Sequence, residues 1–171
     1  MYAPAQEMVQ IVDRDNRAID VLPRHLMRSR DLIHRASYIL VFNDQQEIFV
    51  QKRTMTKDIY PGYWDVAAGG VVLGDESYEH SASRELAEEL GISGIHLTPL
   101  FDHYFEDAGN RVWGRVFRCV HEGPFTLQLE EVEYGSFMSV PQILERSRQE
   151  PFTPDGILIL QQIQGGIQGE P

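Results

Sequence analysis

The segment from Ser77 to Leu90 constrains the fold of this chain more than any other, because its apolar residues repeat with helical spacing. At about 100° per residue, they form one stripe along a helix: Ala82, Leu86 and Leu90. Asp75 or Ser77 can cap the start of the helix, and Gly91 can end it. We therefore predict a helix that buries one face against a core and leaves the adjacent face for chemistry.

The adjacent face of the predicted helix is acidic. It carries three carboxylates within one turn: Glu85, Glu88 and Glu89. Like charges at this spacing destabilise an isolated helix by about a few tenths of a kcal/mol per pair. Most charge runs are solvated helix surfaces, whereas hard cations such as Mg²⁺ bind a few carboxylates together with substrate phosphates. The carboxylates alone therefore leave a solvated surface and a metal site as alternatives.

The rest of the chain alternates short strand and helix patterns without an internal repeat. Strands are predicted at Met8 to Val12, Ala18 to Val21, Ala36 to Phe42, Glu47 to Gln51, Val71 to Leu73, His96 to Leu100, Arg111 to Val120 and Tyr134 to Ser139. Further helices are predicted at Pro23 to Arg28, Pro141 to Arg148 and Pro154 to Ile163. We expect a hairpin between the strands at 36–42 and 47–51, a turn at Gly69-Gly70, and a loop over Arg53 to Tyr63. This order of elements indicates an α+β or α/β fold.

Length and composition indicate one domain and disfavour several classes. A chain of 171 residues fits a single core. We expect an N-terminal extension at 1–33, a hairpin plus a short helix, followed by the main domain at 34–164 and a flexible tail at 165–171. The formal charge of −11 disfavours nucleic acid as a partner, and no apolar run reaches the ~18 residues that span a membrane. The single cysteine, Cys119, and the lack of an N-terminal signal pattern predict a cytoplasmic protein.

The wider spacing around the acidic helix matches a known family pattern. Gly70 is followed after five residues by Glu76, and after seven more by the run Arg84-Glu85-Leu86-Ala87-Glu88-Glu89-Leu90-Gly91-Ile92. This segment fits the Nudix box, Gly-x5-Glu-x7-Arg-Glu-U-x-Glu-Glu-x-Gly-U with U aliphatic, at every position. The chain therefore resembles the Nudix hydrolase superfamily. The resemblance implies an α+β fold in which a mixed β-sheet lies between helices, in an α/β/α arrangement to which the N-terminal hairpin is added.

The resemblance also implies roles for the box residues. The implied ligands of Mg²⁺, for which Mn²⁺ can substitute, are the carbonyl of Gly70 and the carboxylates of Glu85, Glu88 and Glu89. Glu76 would lie in the outer shell, and Arg84, one turn before Glu88, would orient a ligand through an ion pair. The metal would offset phosphate charge and make hydroxide available near neutral pH for attack on phosphorus. The general base stays open among three carboxylates: Glu85, Glu131 and Glu133.

The implied partner is a small nucleotide or another organic diphosphate. Arg53 and Lys57 precede the box and could bind phosphate oxygens, or simply solubilise a loop. Four aromatic residues could stack on a base or pack in the core: Tyr60, Tyr63, Phe105 and Trp113. Of these, we take Tyr63 and Phe105 as substrate-binding candidates. Nucleoside di- and triphosphates lead, ahead of nucleotide sugars, dinucleoside polyphosphates and isoprenoid diphosphates, and the chain is expected to be a monomer or a homodimer.

Two other functions are alternatives. The stretch before the box, with Arg53, Lys57 and Pro61-Gly62-Tyr63-Trp64, resembles the isopentenyl-diphosphate isomerase branch of the superfamily. That branch needs a cysteine shortly after the tryptophan and a histidine beside it, whereas this chain reads Asp65-Val66-Ala67-Ala68-Gly69-Gly70. The second alternative is a non-catalytic nucleotide sensor, although such domains usually lose box glutamates. The intact box therefore favours a hydrolase of phosphoanhydrides.

Overall fold

The computed structural model describes residues 3–167, whose strands form a nine-stranded mixed sheet. The strands are β1 (Met8–Val12), β2 (Ala18–Pro23), β3 (His34–Phe42), β4 (Ile48–Arg53), β5 (Trp64–Asp65), β6 (Ala68–Val71), β7 (Thr98–Glu106), β8 (Arg111–Val120) and β9 (Val132–Met138). The helices are α1 (Arg24–Ser29), α2 (Tyr78–Leu90), α3 (Val140–Arg146) and α4 (Pro154–Ile167).

Strand β3 lies at the centre of the sheet. It pairs in parallel with β8 along its whole length, from His34 opposite Val112 to Phe42 opposite Val120. It also pairs antiparallel with β6, and β8 extends the sheet through antiparallel β7. A second group of strands is built on β4, which pairs antiparallel with β5 and β9. Parallel and antiparallel pairs in one sheet confirm the predicted α+β class.

The predicted hairpin between β3 and β4 is wrong beyond its first pair. The two strands meet where Phe42 lies opposite Ile48, next to their connecting turn. Beyond that point β6 and β8 satisfy the backbone groups of β3, while β5 and β9 satisfy those of β4. Sequence proximity suggested the hairpin, but strands that are distant in the sequence take the hydrogen bonds.

Helices cover both faces of the sheet. Alternate residues of a strand point to opposite faces, and β3 contributes to a separate core on each side. Leu40 packs with Ile143 of α3 and Ile159 of α4. Ile39 and Val41 pack with the predicted apolar stripe of α2: Ala82, Leu86 and Leu90. This arrangement confirms the α/β/α sandwich.

The ends of α2 are fixed by the residues that the sequence indicated. The Ser77 hydroxyl accepts a hydrogen bond of 3.0 Å from the backbone N–H of His80 and caps the helix. Gly91 ends the helix in the left-handed region, with φ of 69°, where glycine carries no steric penalty. These two ends determine which helix face the carboxylates share.

The predicted turn at Gly69-Gly70 is wrong, because both residues lie inside strand β6. The φ angle of Gly69 is 142°, and a Cβ at this position would overlap the carbonyl oxygen of Ser37 on β3. Glycine is needed here because two strand backbones approach closely, and a glycine pair in the sequence does not distinguish this use from a turn.

The N-terminal hairpin and short helix are present as predicted. Strands β1 and β2 pair antiparallel, and α1 follows. Ile11 of β1 lies opposite His34 of β3, so the hairpin continues the sheet. Val9 and Met27 pack with Val71, which anchors α1 next to β6.

Several predicted boundaries differ from the structure, including those of β7 and α4. Strand β7 begins at Thr98 and continues to Glu106, well past the predicted end at Leu100, because it pairs with β8 as far as Arg111. Helix α4 continues to Ile167, so the first three residues of the expected tail, 165–167, are helical, and residues 168–171 lie outside the described residues. Within residues 3–167, no helix is long and apolar enough to cross a membrane.

Candidate active site

Arg84 on α2 gathers three carboxylates around one guanidinium group. Its Nε and Nη2 donate to the two carboxylate oxygens of Glu76, at 2.6 and 3.0 Å. Its Nη1 donates to Glu85 Oε1 at 2.8 Å and to Glu88 Oε2 at 3.3 Å. Nη2 also donates to the carbonyl oxygen of Val71 on β6, at 3.3 Å. The predicted contact between Arg84 and Glu88 is therefore present, within a larger network that joins α2 to β6.

Glu85 is packed against the backbone of β6 at Gly70. A Cβ on Gly70 would lie 2.5 Å from Glu85 Oε1, so the missing side chain makes room for the carboxylate. Burial raises the pKa of Glu85 to about 7, and the charge of Glu89 adds to this shift, while Arg84 opposes it. Glu85 is thus a carboxylate that exchanges protons near neutral pH.

Glu89 points into the protein and joins α2 to two strands. It is 3% exposed, and its Oε2 accepts hydrogen bonds from the backbone N–H of Gly69 at 3.1 Å and from Gln51 Nε2 at 3.2 Å. The Oε1 atom of the same Gln51 amide is buried without a hydrogen-bond partner. Glu88, in contrast, keeps 47% of its side chain exposed.

The carboxylate oxygens are the kind of ligand that a hard cation prefers, but their present arrangement does not form a metal site. Among residues 3–167, no group of three or more His, Cys, Asp or Glu side chains is arranged to hold a metal ion. Arg84 engages the carboxylates of Glu85 and Glu88, and Glu89 is bonded to the strands. The donor set is nevertheless all oxygen, and the charges of Glu89 and Glu88 add to the rise that burial causes in the pKa of Glu85.

A cleft that opens to solvent lies next to this acidic network. Its walls include Gly69 and Gly70 of β6, and Arg53 and Lys57 from the loop that precedes the box. The structure therefore brings the predicted phosphate-binding residues to the same cleft as the glycine strand.

Arg53 and Lys57 both have protein partners in this cleft. Arg53 donates to the carbonyl oxygens of Tyr60, at 3.2 Å, and Ile59, at 2.9 Å, and thereby shapes the loop. Lys57 forms an ion pair with Glu131, whose side chain is buried. The third candidate base, Glu133, lies exposed on β9.

The predicted aromatic residues are not gathered in one place. Tyr60 lines the cleft, and Tyr63 packs against it with ring centroids 5.6 Å apart. Phe105 is 7% exposed and packs with Ala36 and Val112. This corrects the expectation for Phe105, because a ring covered by the core cannot stack on a base. Trp113 donates its indole N–H to the carbonyl oxygen of Arg14.

The cleft also contains polar residues that the sequence did not single out. Two are carboxyls: Asp155 accepts a hydrogen bond of 2.7 Å from the Tyr38 hydroxyl, and Asp65 accepts one of 3.1 Å from the backbone N–H of Ala67. Burial raises the pKa of Asp65 to about 7, an effect that Arg53 opposes. The hydroxyl of Thr153 is buried there without a hydrogen-bond partner. Arg24 and Arg28 of α1 also line the cleft.

The thiol that the isomerase branch requires is not at this cleft. Cys119, the single cysteine of the chain, lies in β8 and packs in the core beneath α2 with Ile39 and Val41. It is 4% exposed, and burial raises its pKa to about 11. Its sulfur is therefore a protonated core group.

Comparisons with known proteins assign the family. A family model described as NUDIX domain matches residues 32–156. An uncharacterized Nudix hydrolase from Pseudomonas aeruginosa is 44% identical over 154 residues, which is 90% of this chain and 91% of that protein. The uncharacterized Nudix hydrolase YfcD from Escherichia coli is 45% identical over 154 residues, 90% of this chain and 84% of that protein. The chain therefore belongs to the Nudix family, and it is a hydrolase of phosphoanhydrides.

Solved structures of low sequence identity share the fold. The crystal structure of DR0079 from Deinococcus radiodurans gives a TM-score of 0.76 at 19% identity, covering 91% of this chain and 98% of that one. The NUDIX domain of NrtR from Shewanella oneidensis, complexed with ADP ribose, gives a TM-score of 0.61 at 19% identity, covering 78% and 87%. At these identities the similarity supports the fold alone.

Proposed function

We propose that this protein is a Mg²⁺-dependent hydrolase that cleaves a phosphoanhydride bond of a nucleoside diphosphate derivative, by attack of water on phosphorus. Nucleoside di- and triphosphates are the leading substrates, with a monophosphate and phosphate or pyrophosphate as products. The observation that carries the proposal is the acidic network around Arg84, placed next to a cleft that cationic side chains line. The ADP ribose held by the NrtR domain supports a nucleotide diphosphate as ligand of this fold.

Glu85, Glu88 and Glu89, with the carbonyl oxygen of Gly70, would hold the metal. When bound, Mg²⁺, or Mn²⁺ in its place, supplies positive charge to the phosphates and makes water more acidic. Glu85 and Glu88 would then exchange Arg84 for the cation, while the two bonds from Arg84 to Glu76 hold the guanidinium in place. Arg84 would thus keep Glu76 as a partner when the metal binds. This explains why the box contains an arginine and a glutamate that do not bind the metal.

The candidates for the general base are Glu85, Glu131 and Glu133. A bound cation would lower the pKa of Glu85, because positive charge favours the carboxylate, so Glu85 would act either as a ligand or as the base. Glu131 is engaged with Lys57, and Glu133 is exposed on β9.

Lys57 and Arg53, in the cleft wall, would bind phosphate oxygens. Arg53 would do so through Nη1, because the carbonyl oxygens of Tyr60 and Ile59 hold its Nε and Nη2.

Release of phosphate and pyrophosphate from a substrate panel tests this function. The panel contains nucleoside di- and triphosphates, nucleotide sugars and isopentenyl diphosphate, each with Mg²⁺ or with EDTA. We expect Mg²⁺-dependent release by the wild type and a fall in kcat of about 100-fold or more in Glu88→Gln. The matched control is Glu145→Gln, which changes the same charge on the surface of α3, where Glu145 pairs with Arg148.

Two results would overturn the proposal in favour of its alternatives. Tight nucleotide binding without release from any compound would indicate a sensor. Isomerisation of isopentenyl diphosphate without phosphate release would indicate the isomerase.

The same proposal places the protein in the cytoplasm, as a monomer or a homodimer. The single buried thiol is consistent with a reducing compartment.

A further inference from the structure

We propose that helix α1 of the N-terminal extension binds a phosphate group of the substrate through the guanidinium groups of Arg24 and Arg28. This inference rests on the proposed function, because it states where part of that substrate binds. Both residues precede residue 32, where the match to the NUDIX domain begins. The extension is then part of the active site as well as a continuation of the sheet.

The two arginines face the cleft from one side of α1. They are four residues apart, so they lie on the same helix face. Their side chains are 13% and 17% exposed, unusually low values for arginine, which is rarely buried unless it is paired. They line the same cleft as Arg53 and Lys57 of the loop and Gly69 of β6.

Their carboxylate partners leave Arg28 only partly compensated. Asp58 accepts hydrogen bonds from Arg24 at 3.0 and 3.2 Å and from Arg28 at 3.1 Å, so two cations share one carboxylate. Arg24 has a second carboxylate partner, Glu7, at 3.1 Å. The second partner of Arg28 is the neutral side-chain oxygen of Asn110, at 3.1 Å. Arg28 therefore has less compensating negative charge than Arg24, and an added anion would stabilise Arg28 more.

The cleft itself is richer in cations than in carboxylates. Four cationic side chains and two carboxyls line it: Arg24, Arg28, Arg53, Lys57, Asp65 and Asp155. The carboxylate of Asp58, which is bonded to both arginines, lines a neighbouring groove that Arg24 and Arg28 also line. In a chain of net charge −11, phosphate is repelled unless cations are concentrated locally, as they are here.

The nearby arginines contribute to the low pKa of a buried histidine in the cleft. His34 is 2% exposed, and its pKa falls to about 3 because it is buried and because the charges of Arg28 and Arg24 oppose its protonation. The pKa of Lys57 is also lowered, chiefly by burial, with Arg53 and Arg24 contributing. An anion bound between the arginines and Lys57 would reduce the electrostatic repulsion among these cations.

The chemistry of arginine indicates which phosphate is bound. A guanidinium group binds phosphate oxygens in pairs, and a terminal phosphoryl group offers more charge and more free oxygens than a phosphate esterified at its far end. The site therefore favours substrates with a terminal phosphate over diphosphates capped on both sides, such as nucleotide sugars.

Binding of inorganic pyrophosphate in EDTA, measured by titration calorimetry on the full chain, tests the site without turnover. We expect Arg28→Gln to raise the Kd for pyrophosphate about tenfold or more, the loss expected for charged hydrogen bonds. Arg30→Gln removes the same charge from the exposed end of α1 and should leave the Kd unchanged. With a nucleoside triphosphate as substrate, Arg28→Gln should raise KM with little change in kcat. No pyrophosphate binding by the wild type, or equal binding by Arg28→Gln, would overturn the inference.

A second variant covers the case in which Arg28→Gln fails to fold. Asp58→Asn removes the shared carboxylate and keeps both arginines, so pyrophosphate should bind more tightly than to the wild type; unchanged or weaker binding would count against the site. The outcomes separate this inference from the proposed function. If Arg28 controls pyrophosphate binding but nothing is hydrolysed, only the proposed function fails. If hydrolysis occurs and Arg28 has no effect on binding, only this inference fails.

Discussion

Arg84 makes it possible for several carboxylates to share one part of the protein. Its guanidinium donates to Glu76, Glu85 and Glu88, and no two of these bonds use the same carboxylate oxygen. Burial lowers its pKa, but the hydrogen bonds to Glu76 and the charges of Glu85 and Glu76 outweigh this and raise it above the ordinary value. Arg84 is therefore a permanent cation that holds these three carboxylates together.

The contact between Gly70 and Glu85 predicts the effect of a single methyl group. In Gly70→Ala the new Cβ would lie 2.5 Å from Glu85 Oε1 and force the carboxylate to move. We expect kcat/KM to fall about 10- to 100-fold, as when a group that orients a metal ligand is disturbed. Steady-state kinetics measure this, with Gly109→Ala as control because that position opens onto free space. Unchanged kinetics in Gly70→Ala would show that the reaction does not depend on the position that Glu85 takes against Gly70.

The raised pKa of Asp65 predicts a pH-dependent stability. Because burial raises this pKa from 3.8 to about 7, the folded protein keeps a proton that the unfolded chain releases. The free energy of unfolding from this group therefore decreases as the pH rises from about 4 to about 7 and is constant above that range. Asp65→Asn cannot ionise, so urea unfolding should show the wild type losing stability relative to the variant between about pH 4 and about pH 7. A stability difference that is independent of pH would contradict the burial argument.

The resemblance to the Nudix box identified the box residues as a set. Glu85 and Glu88 share a face of α2, Glu76 lies just before that helix, and all three are joined through Arg84. The roles assigned to these residues are still predictions. Arg24, Asp65 and Asp155 come from three separate elements, and only the fold brings them to one cleft. No local pattern in the sequence marks them.

Among the elements, α2 was the most predictable and β6 the least. Capping residues and a periodic stripe specify α2 locally. Strand β6 depends on its neighbour: Gly69 and Gly70 are extended because β3 lies beside them and α2 packs close behind. The pairing of β3 with β8 is non-local in the same way, so the sequence predicted both strands but not their partners.

The close approach of β6 and β3 predicts that Gly69 cannot be replaced. In Gly69→Ala the Cβ would overlap the Ser37 carbonyl oxygen, and the φ of 142° is itself strained for alanine. We expect a loss of about 3 kcal/mol or more in the free energy of unfolding, because backbone strain and a broken strand contact add together. Urea denaturation of the variant beside Gly109→Ala measures the loss. A variant as stable as that control would show that the two strands can separate without cost.

At the scale of the whole molecule, the sheet places two charged regions next to each other. On one side α2 presents the acidic network, and on the other α1 and the loop before the box present Arg28, Arg53 and Lys57. A substrate with two linked phosphates and a cation would bridge these regions, because its metal end needs carboxylates and its free phosphate needs arginines. The net charge of −11 does not reveal that acidic and basic residues form separate regions, because this separation depends on the three-dimensional fold.

Hydrolysis in water enriched in heavy oxygen tests whether water attacks phosphorus, with the best substrate of the panel and mass spectrometry of both products. Attack of water on phosphorus predicts one heavy oxygen in a phosphate product and none in the organic group attached to it. Its rate of incorporation should fall in Glu88→Gln as the rate of release falls, and should be unchanged in Glu145→Gln. Heavy oxygen bonded to carbon in the organic product, or equal incorporation by Glu88→Gln, would contradict the account.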